Sequence, residues 1–349
     1  MAELSDEQLL TAETKKTRQG SQQVTLESVA RLAGVAPTTV SRALNYPDKV
    51  AKKTLFRINA IIEQTGYVPN MLAGGLASNK SKLVAVIVPS LVNIVYAETV
   101  QHFAKPMKEA GYQVLQGEVG YSLEEEEQLV TAILSRRPDG IFLTGIQHSN
   151  NCRRQLLAAN IPIVETWDVT PTPLDIVVGF SQQSVGKRTA NYFYDKGYRK
   201  FAIVSAEDQR AQLRNESFLR ALADKGITDV PTSIVPGISN LQLGRQGAAR
   251  LLDAGLHGHL IFCSSDTLAH GVLTEVQARG LSIPDDIAIV GFGDQNFAAY
   301  TYPALSTVRI DRATMGRESA SALLARLSDR PVAKPVLDVG FEIIERDTA

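Results

Sequence analysis

Between Val24 and Asn45 the chain reads VTLESVARLAGVAPTTVSRALN, with apolar positions at helical spacing on both sides of a glycine. Thr25 is placed to cap a helix from Leu26 to Ala33, with Val29, Ala30 and Leu32 on or near its buried face. Gly34 suits the turn, which needs a residue free to take positive φ. Pro37 stands at a first helical position, where its fixed φ is already helical and its missing N–H is no loss. Val40, Ala43 and Leu44 then point inward, and Pro37, Thr38, Ser41 and Arg42 stay near the outer surface. Leu55, Ile58, Ile61 and Ile62 predict a third helix within 51–66, closed by Gly66.

Beyond residue 82 the pattern changes. Short apolar runs at Leu83–Val88, Tyr112–Leu115, Gly140–Leu143, Pro162–Val164 and Ile176–Phe180 read as strands, followed by Phe201–Ser205, Ser233–Pro236, Leu260–Cys263 and Ile287–Val290. Amphipathic stretches lie between them, at Ala97–Glu109, Ser122–Arg136, Ser184–Lys196, Arg214–Lys225 and Thr267–Arg279. Alternation of this kind predicts parallel sheets covered by helices on both faces. The number of units exceeds one compact doubly wound sheet, so two lobes with a cleft between them are expected. Ligands then bind beyond the carboxyl ends of the strands.

The linker YVPNMLAGGLASNK, residues 67–80, changes that picture. Asn70 is placed to cap a short helix through Leu76, but Gly74 and Gly75 each cost about 1 kcal/mol relative to alanine. Such a segment is either a flexible tether or a hinge that turns helical only when something holds it, with Leu76 then available as a wedge between base steps.

Charge points to the partner of the first segment. From Lys15 to Lys80 ten Lys/Arg face three Asp/Glu, a net +7 in a chain whose total is −1. Positive charge confined to one end suits phosphate contacts with nucleic acid, and a small polar helix tipped by Arg42 suits a major groove. The first twenty residues are polar with no signal-peptide pattern, and no apolar run approaches a membrane span, so a cytoplasmic protein without membrane contact is expected. Cys152 and Cys263 lack partners at metal-ligand spacing, and Cys263 reads as a buried thiol. There is no P-loop, no dinucleotide fingerprint after the first strand and no nucleophile–base set. Neither a cofactor, a metal nor an enzymatic activity is expected. Glu124–Glu127 reads as the solvated, acidic start of a helix.

In combination and order, the head, the linker, the first strand VAVIVPSLVN and the segments LRNESF, FCSSDTLAHG, IAIVGFGD and LSTVRIDRATMG resemble the lactose-repressor (LacI/GalR) family of bacterial transcriptional regulators. The resemblance spans about residues 24–346. It implies an all-α helix-turn-helix head with a hinge helix and an α/β core of two doubly wound parallel-sheet lobes, of the periplasmic-binding-protein type I. It also implies a homodimer on double-stranded operator DNA and a small-molecule effector. The implied division is a disordered lead-in (1–22), the DNA-binding domain (23–68), the hinge (69–81) and the core (82–349). Within the core one lobe takes 82–180 and 310–337, and the other takes 181–309 and 338–346.

Carried over by position, Thr25, Pro37, Thr38, Ser41 and Arg42 meet the operator, Arg42 as a bidentate guanine contact. Asn45 and Asn70 support phosphate contacts or caps, Ala73 lies on the DNA with them, and Leu76 intercalates. Ala36 stands where the family usually has a serine, forfeiting about 1 kcal/mol of capping. In the cleft, Ser90 and Asn93 follow the first strand, Phe180 matches an effector-stacking aromatic, Arg214 at the start of its helix matches the arginine that grips ligand oxygens, and Asp266 matches a carboxylate for sugar hydroxyls. Ser265 replaces a frequent asparagine, and His148, Glu165, Trp167 and Asp168 follow or end strands as further lining candidates. Gly293 replaces a frequent aspartate, which favours an anionic ligand. The segments VVGFSQQS and IVETWD are most similar to regulators of gluconate and 2-ketogluconate utilisation, which implies a sugar-acid effector. The alternatives are a sugar-binding transport-type protein and a regulator of the same family responding to a neutral sugar or a purine.

Overall fold

The computed structural model describes residues 24–69 and 80–349, and the chain divides into two units, 1–79 and 80–349. Asn70, Ala73 and Leu76 lie outside the described residues.

Among the described residues the first unit has three α-helices, α1 (Leu26–Ala33), α2 (Pro37–Asn45) and α3 (Lys52–Thr65). Thr25 caps α1 by accepting the Ser28 N–H at 3.2 Å, and Gly34 ends it at φ +60, the left-handed conformation the turn requires. Ala36 precedes α2 with no side-chain cap, and Pro37 opens the helix. Val29, Ala30, Ala33, Val40, Ala43, Ile58 and Tyr67 form the shared core. Leu32 is a correction to the expected face. It is 55% exposed, because an eight-residue helix buries only the stripe through Val29, Ala30 and Ala33.

The second unit holds two sheets of one plan. The first sheet comprises β1 (Leu83–Val88), β2 (Gln113–Glu118), β3 (Gly140–Thr144), β4 (Ile163–Thr166), β5 (Ile176–Gly179) and β11 (Val336–Asp338), in the order β11-β5-β4-β3-β1-β2 and parallel throughout. Its helices are α4 (Ile94–Glu109), α5 (Leu123–Leu134), α6 (Asn150–Ala159) and, from late in the chain, α11 (Arg312–Leu327). Strand alternation divides the packing. Val84, Val86 and Val88 pack with Phe103, Met107 and Leu323, and Ala85 and Ile87 pack with Val130, Ile133 and Leu156 on the other face.

The second sheet comprises β6 (Phe201–Ala206), β7 (Thr232–Val235), β8 (His259–Cys263), β9 (Ile287–Gly293), β10 (Ser306–Arg309) and β12 (Glu342–Ile344), in the order β12-β10-β9-β8-β6-β7. Only β12 is antiparallel to its neighbour. Its helices are α7 (Gln182–Asp195), α8 (Gln209–Ala223), α9 (Leu241–Asp253) and α10 (Asp266–Ala278). In both sheets the first strand lies inside the second, so each chain direction reverses beside it. That reversal leaves a crevice at the carboxyl ends of the strands. No helix among the described residues is long and apolar enough to cross a membrane.

Ile58 is fully buried at the centre of the three-helix unit. Ile58→Ala should cost about 2–5 kcal/mol, which a unit this small does not hold in reserve. The expected outcome is loss of the low-temperature helical signal of the isolated 1–69 segment, read by circular dichroism, with the melting of the second unit in the full chain unchanged.

Candidate functional site

The crevice is built from loops and helix starts that follow the strands. After β1, Asn93 caps α4 by accepting the Val95 N–H at 3.2 Å, which sets Tyr96 in the first turn. After β4, Trp167 takes φ +66 and meets Tyr96 edge to face, with ring centroids 5.1 Å apart. Phe180 stands behind Trp167 at 5.8 Å and contacts Phe292, from β9 of the other lobe, at 6.0 Å. These rings form an apolar wall shared by both lobes.

Polar groups face that wall from α7 and α8. Asp208 caps α8 by accepting the Ala211 N–H at 3.0 Å, so the helix begins at Gln209. Arg214 therefore lies in the second turn and not at the helix start expected from the sequence. This earlier start puts Arg210 one turn before Arg214 on the same face. Arg214 is 4% exposed, and its guanidinium lies 3.9 Å from the Phe292 ring centroid. Nη1 donates to Gln182 Oε1 at 2.5 Å and Nη2 to the Ser264 carbonyl at 2.9 Å. Gln182 in turn donates to the Trp167 carbonyl at 2.5 Å, joining the lobes. Arg210 makes a second link, donating through Nη2 to Tyr96 Oη at 2.9 Å. Nε of Arg214 and Nη1 of Arg210 are buried donors without a hydrogen-bond partner.

Among the described residues no carboxylate touches Arg214. Burial pushes its guanidinium down to about 10, against the distant charges of Asp208 and Asp168 that favour the cation. A buried charge so weakly compensated is costly, and its spare donor is where an anion lowers that cost. Asp168 is itself held above the usual carboxylate range, first by burial.

The lining cavity, about 460 Å³ and partly open to solvent, includes Asn93, Trp167, Arg214 and Ser265 of the expected residues. Ser265 also caps α10, accepting the Leu268 N–H at 3.2 Å. Asp168 lies on an adjoining cavity that shares Tyr121, Asp208 and Arg210 with the first. Ser90 is fully buried, its Oγ without a partner, and does not line either cavity. Phe180 is in the wall, not on the surface of the cavity.

Three other expected residues stand further back. Asp266 has both oxygens occupied, Oδ1 by Thr307 Oγ1 at 2.5 Å and Oδ2 by the Gln295 N–H at 2.6 Å. Its carboxylate lies against Gly291, where a Cβ would collide with Oδ1. Burial raises its pKa to about 6, although those two hydrogen bonds work the other way. His148 is buried between Glu126, 3.0 Å from Nδ1, and Glu165, 3.3 Å from Nε2. Burial works against its charge, but the two carboxylates outweigh it and lift the pKa to about 9. Residues that sequence reading missed are Tyr96, Arg210, Gln182, Ser264 and Phe292. For Arg210 the arginine pair four apart was the available signal.

In the head, Pro37, Thr38 and Arg42 are exposed on α2, and Ser41 is half-buried. Asn45 turns back to donate to the Ser41 carbonyl at 2.9 Å, closing the helix, and Thr25 is engaged in its cap.

Residues 25–70 match the family described as bacterial regulatory proteins, lacI family, and residues 190–349 match the periplasmic binding protein-like domain. The "HTH-type transcriptional regulator GntR" of Pseudomonas aeruginosa is 37% identical over 326 residues, covering 93% of this chain and 95% of that protein. The chain belongs to the LacI family of bacterial transcriptional regulators. Another LacI-family relative, the "HTH-type transcriptional regulator IdnR" of Escherichia coli, is 30% identical over 93% of this chain and 98% of its own length. A LacI-family regulator from Silicibacter pomeroyi has a solved structure that superposes with a TM-score of 0.86 at 32% identity, over 93% of this chain and 98% of that one. These LacI-family relatives are regulators of transcription and not enzymes.

Asp266 yields a pH signature. Its folded pKa lies above the usual unfolded value near 3.8, so the folded state holds the proton more tightly. The contribution to stability is thus fully present below about 3.8 and is lost as pH rises through about 6. Relative to Asp266→Asn, which cannot titrate, the natural protein should gain stability as pH falls from 7.5 to 4.5. Urea midpoints of the pair at both values check this, and a constant difference contradicts it.

Proposed function

We propose that this chain is a repressor that binds a pseudo-palindromic operator in the cytoplasm as a homodimer, and that a sugar acid of the gluconate or 2-ketogluconate type sets its operator affinity. The observation that carries the effector class is the buried pair of guanidinium groups with spare donors, Arg214 Nε and Arg210 Nη1, beside the Trp167 wall. A ligand carboxylate satisfies both. Hydroxyls along its chain suit Asn93, Gln182, Ser265 and Gln295, which line the same cavity. A charge-assisted hydrogen bond of this kind contributes about 1.5–3 kcal/mol, or roughly ten- to a hundred-fold in affinity. The resemblance of VVGFSQQS and IVETWD to gluconate and 2-ketogluconate regulators supports the same class.

On the DNA side, exposed Pro37, Thr38 and Arg42 present the outer face of α2 to base edges, with Arg42 reading guanine. Thr25, Ser41 and Asn45 fix the helix ends against phosphates, and Asn70, Ala73 and Leu76 act in the linker. Ligand and operator communicate only insofar as the ligand prefers one lobe arrangement over another. The cavity is suited to that, because Tyr96 and Trp167 come from one lobe and Arg210 and Arg214 from the other.

The test is fluorescence anisotropy of the full chain on duplex DNA from upstream of its own gene, with and without gluconate, 2-ketogluconate, glucose and hypoxanthine. Salt-sensitive binding altered by a sugar acid alone is expected. Arg214→Ala should keep operator binding and lose the ligand response. Arg42→Ala should cost about 1–3 kcal/mol of specific binding and relax discrimination at one base pair. A response to glucose or hypoxanthine but to neither acid contradicts the effector class, and no DNA binding at low salt contradicts the repressor.

A further inference from the structure

His148, Cys152, Glu126 and Glu165 reach one point in the first lobe from four separate elements, and none of them is needed by the crevice. Glu126 comes from α5, His148 from the loop after β3, Cys152 from the first turn of α6 and Glu165 from β4. Donor atoms of Glu126, His148 and Cys152 all lie within 4.8 Å of one another. We propose that these three side chains form a binding site for a thiophilic divalent transition metal such as zinc.

Four observations support it. First, the ligand types are right, since thiolate, imidazole and carboxylate together suit zinc. Second, His148 Nδ1 faces Glu126 at 3.0 Å, while Nε2 faces the fully buried Glu165 at 3.3 Å. A carboxylate on the outer nitrogen of a metal-bound histidine is the usual orienting device. Glu165 is anchored for that role, as its Oε2 accepts the Leu174 N–H at 2.6 Å. The Nε2 and Oε1 atoms are within ion-pair distance but have no hydrogen-bond partner of good geometry.

Third, the loop is held in place. Glu127 accepts from Ser149 Oγ at 2.5 Å and from Asn151, and Ser149 caps α6 by accepting the Cys152 N–H at 3.0 Å. Fourth, the cluster adjoins a cavity. Glu126 lines the solvent-open cavity beside the crevice together with Ser122, Thr144 and Gln147, so the cluster borders it through that carboxylate.

The geometry closes with small movements. Donors around a tetrahedral zinc with bonds of about 2.0–2.3 Å lie roughly 3.3–3.6 Å apart. Here Glu126 Oε2 is 3.0 Å from His148 Nδ1 and 4.0 Å from Cys152 Sγ. Cys152 is fully buried, its Sγ 4.0 Å from Glu126 Oε2. Binding a divalent ion as thiolate and imidazole displaces the Cys152 thiol proton and the His148 Nδ1 proton, while Nε2–H keeps facing Glu165. One divalent ion replaces two protons, and the net charge of the buried cluster is unchanged.

The test uses the full chain, freed of metal by chelator and titrated with cobalt(II) chloride, then with zinc. One cobalt per chain is expected, with a thiolate-to-cobalt charge-transfer band and the intense visible bands of tetrahedral cobalt, all removed by zinc. Cys152→Ala should abolish the charge-transfer band, whereas Cys263→Ala, in the other lobe, should retain it. His148→Gln should weaken binding at least 100-fold, and Glu165→Gln about 10- to 100-fold. Near-ultraviolet circular dichroism identifies any variant that fails to fold, and the band of the unaltered chain then decides. Absence of the band in the unaltered chain, or its survival in Cys152→Ala, overturns the proposal and leaves the cluster as an ion network about His148.

Discussion

A guanidinium held inside the protein with no carboxylate against it is the constraint on which the core is organised. Arg214 is satisfied only by an amide oxygen, a main-chain carbonyl and the face of Phe292. None of these neutralises it. The groups that hold it are themselves tied elsewhere: Gln182 to the Trp167 carbonyl, Phe292 to the ring wall through Phe180, and Ser264 to the Ala206 N–H at 2.9 Å. The charge and the two lobes are therefore one arrangement. A group that compensates Arg214 acts on the contacts between lobes as well.

Those contacts combine the ring wall, where Phe180 meets Phe292, with a small set of polar links. Besides Gln182 and Arg210, Arg312 at the start of α11 pairs with Glu98 at 2.7 Å and donates to the carbonyls of Gly293 and Asp294 at the end of β9. Asp294 is bound by Arg309 and Arg346 at 2.6 and 2.7 Å. Most of the apolar packing lies within a lobe, as around Phe103 and Phe142 in one and Phe201, Phe218 and Phe262 in the other, and the first cluster continues across to Phe292 and Val308. Rigid bodies joined by a few exchangeable hydrogen bonds suit a two-state device.

Much of this was legible in the sequence, and the exceptions have identifiable causes. The three head helices were readable because apolar spacing, the Thr25 cap, Gly34 and Pro37 all agree. The nine apolar strands were readable for the same reason. The strands β10, β11 and β12 are three or four residues each with mixed polarity, too short for a period to show. The polar start of α8, QRAQ, hid its first turn and with it Arg210, and the start of α4 hid Tyr96 in the same way. The resemblance supplied Arg214 and Asp266, but not that Thr307 and Gln295 would occupy the latter. The group around His148 was beyond reach, since no spacing links residues 126, 148, 152 and 165 until the sheet brings them together.

We propose that Arg214 and its neighbour Arg210 select a carboxylate over a neutral end group. Calorimetric titration of the full chain with gluconate and with glucitol, which has the same polyol chain but a neutral end, addresses it directly. Binding of gluconate at least tenfold tighter than glucitol, with the difference lost in Arg214→Ala, is the predicted result. Equal affinities for the two ligands in the unaltered protein contradict the claim.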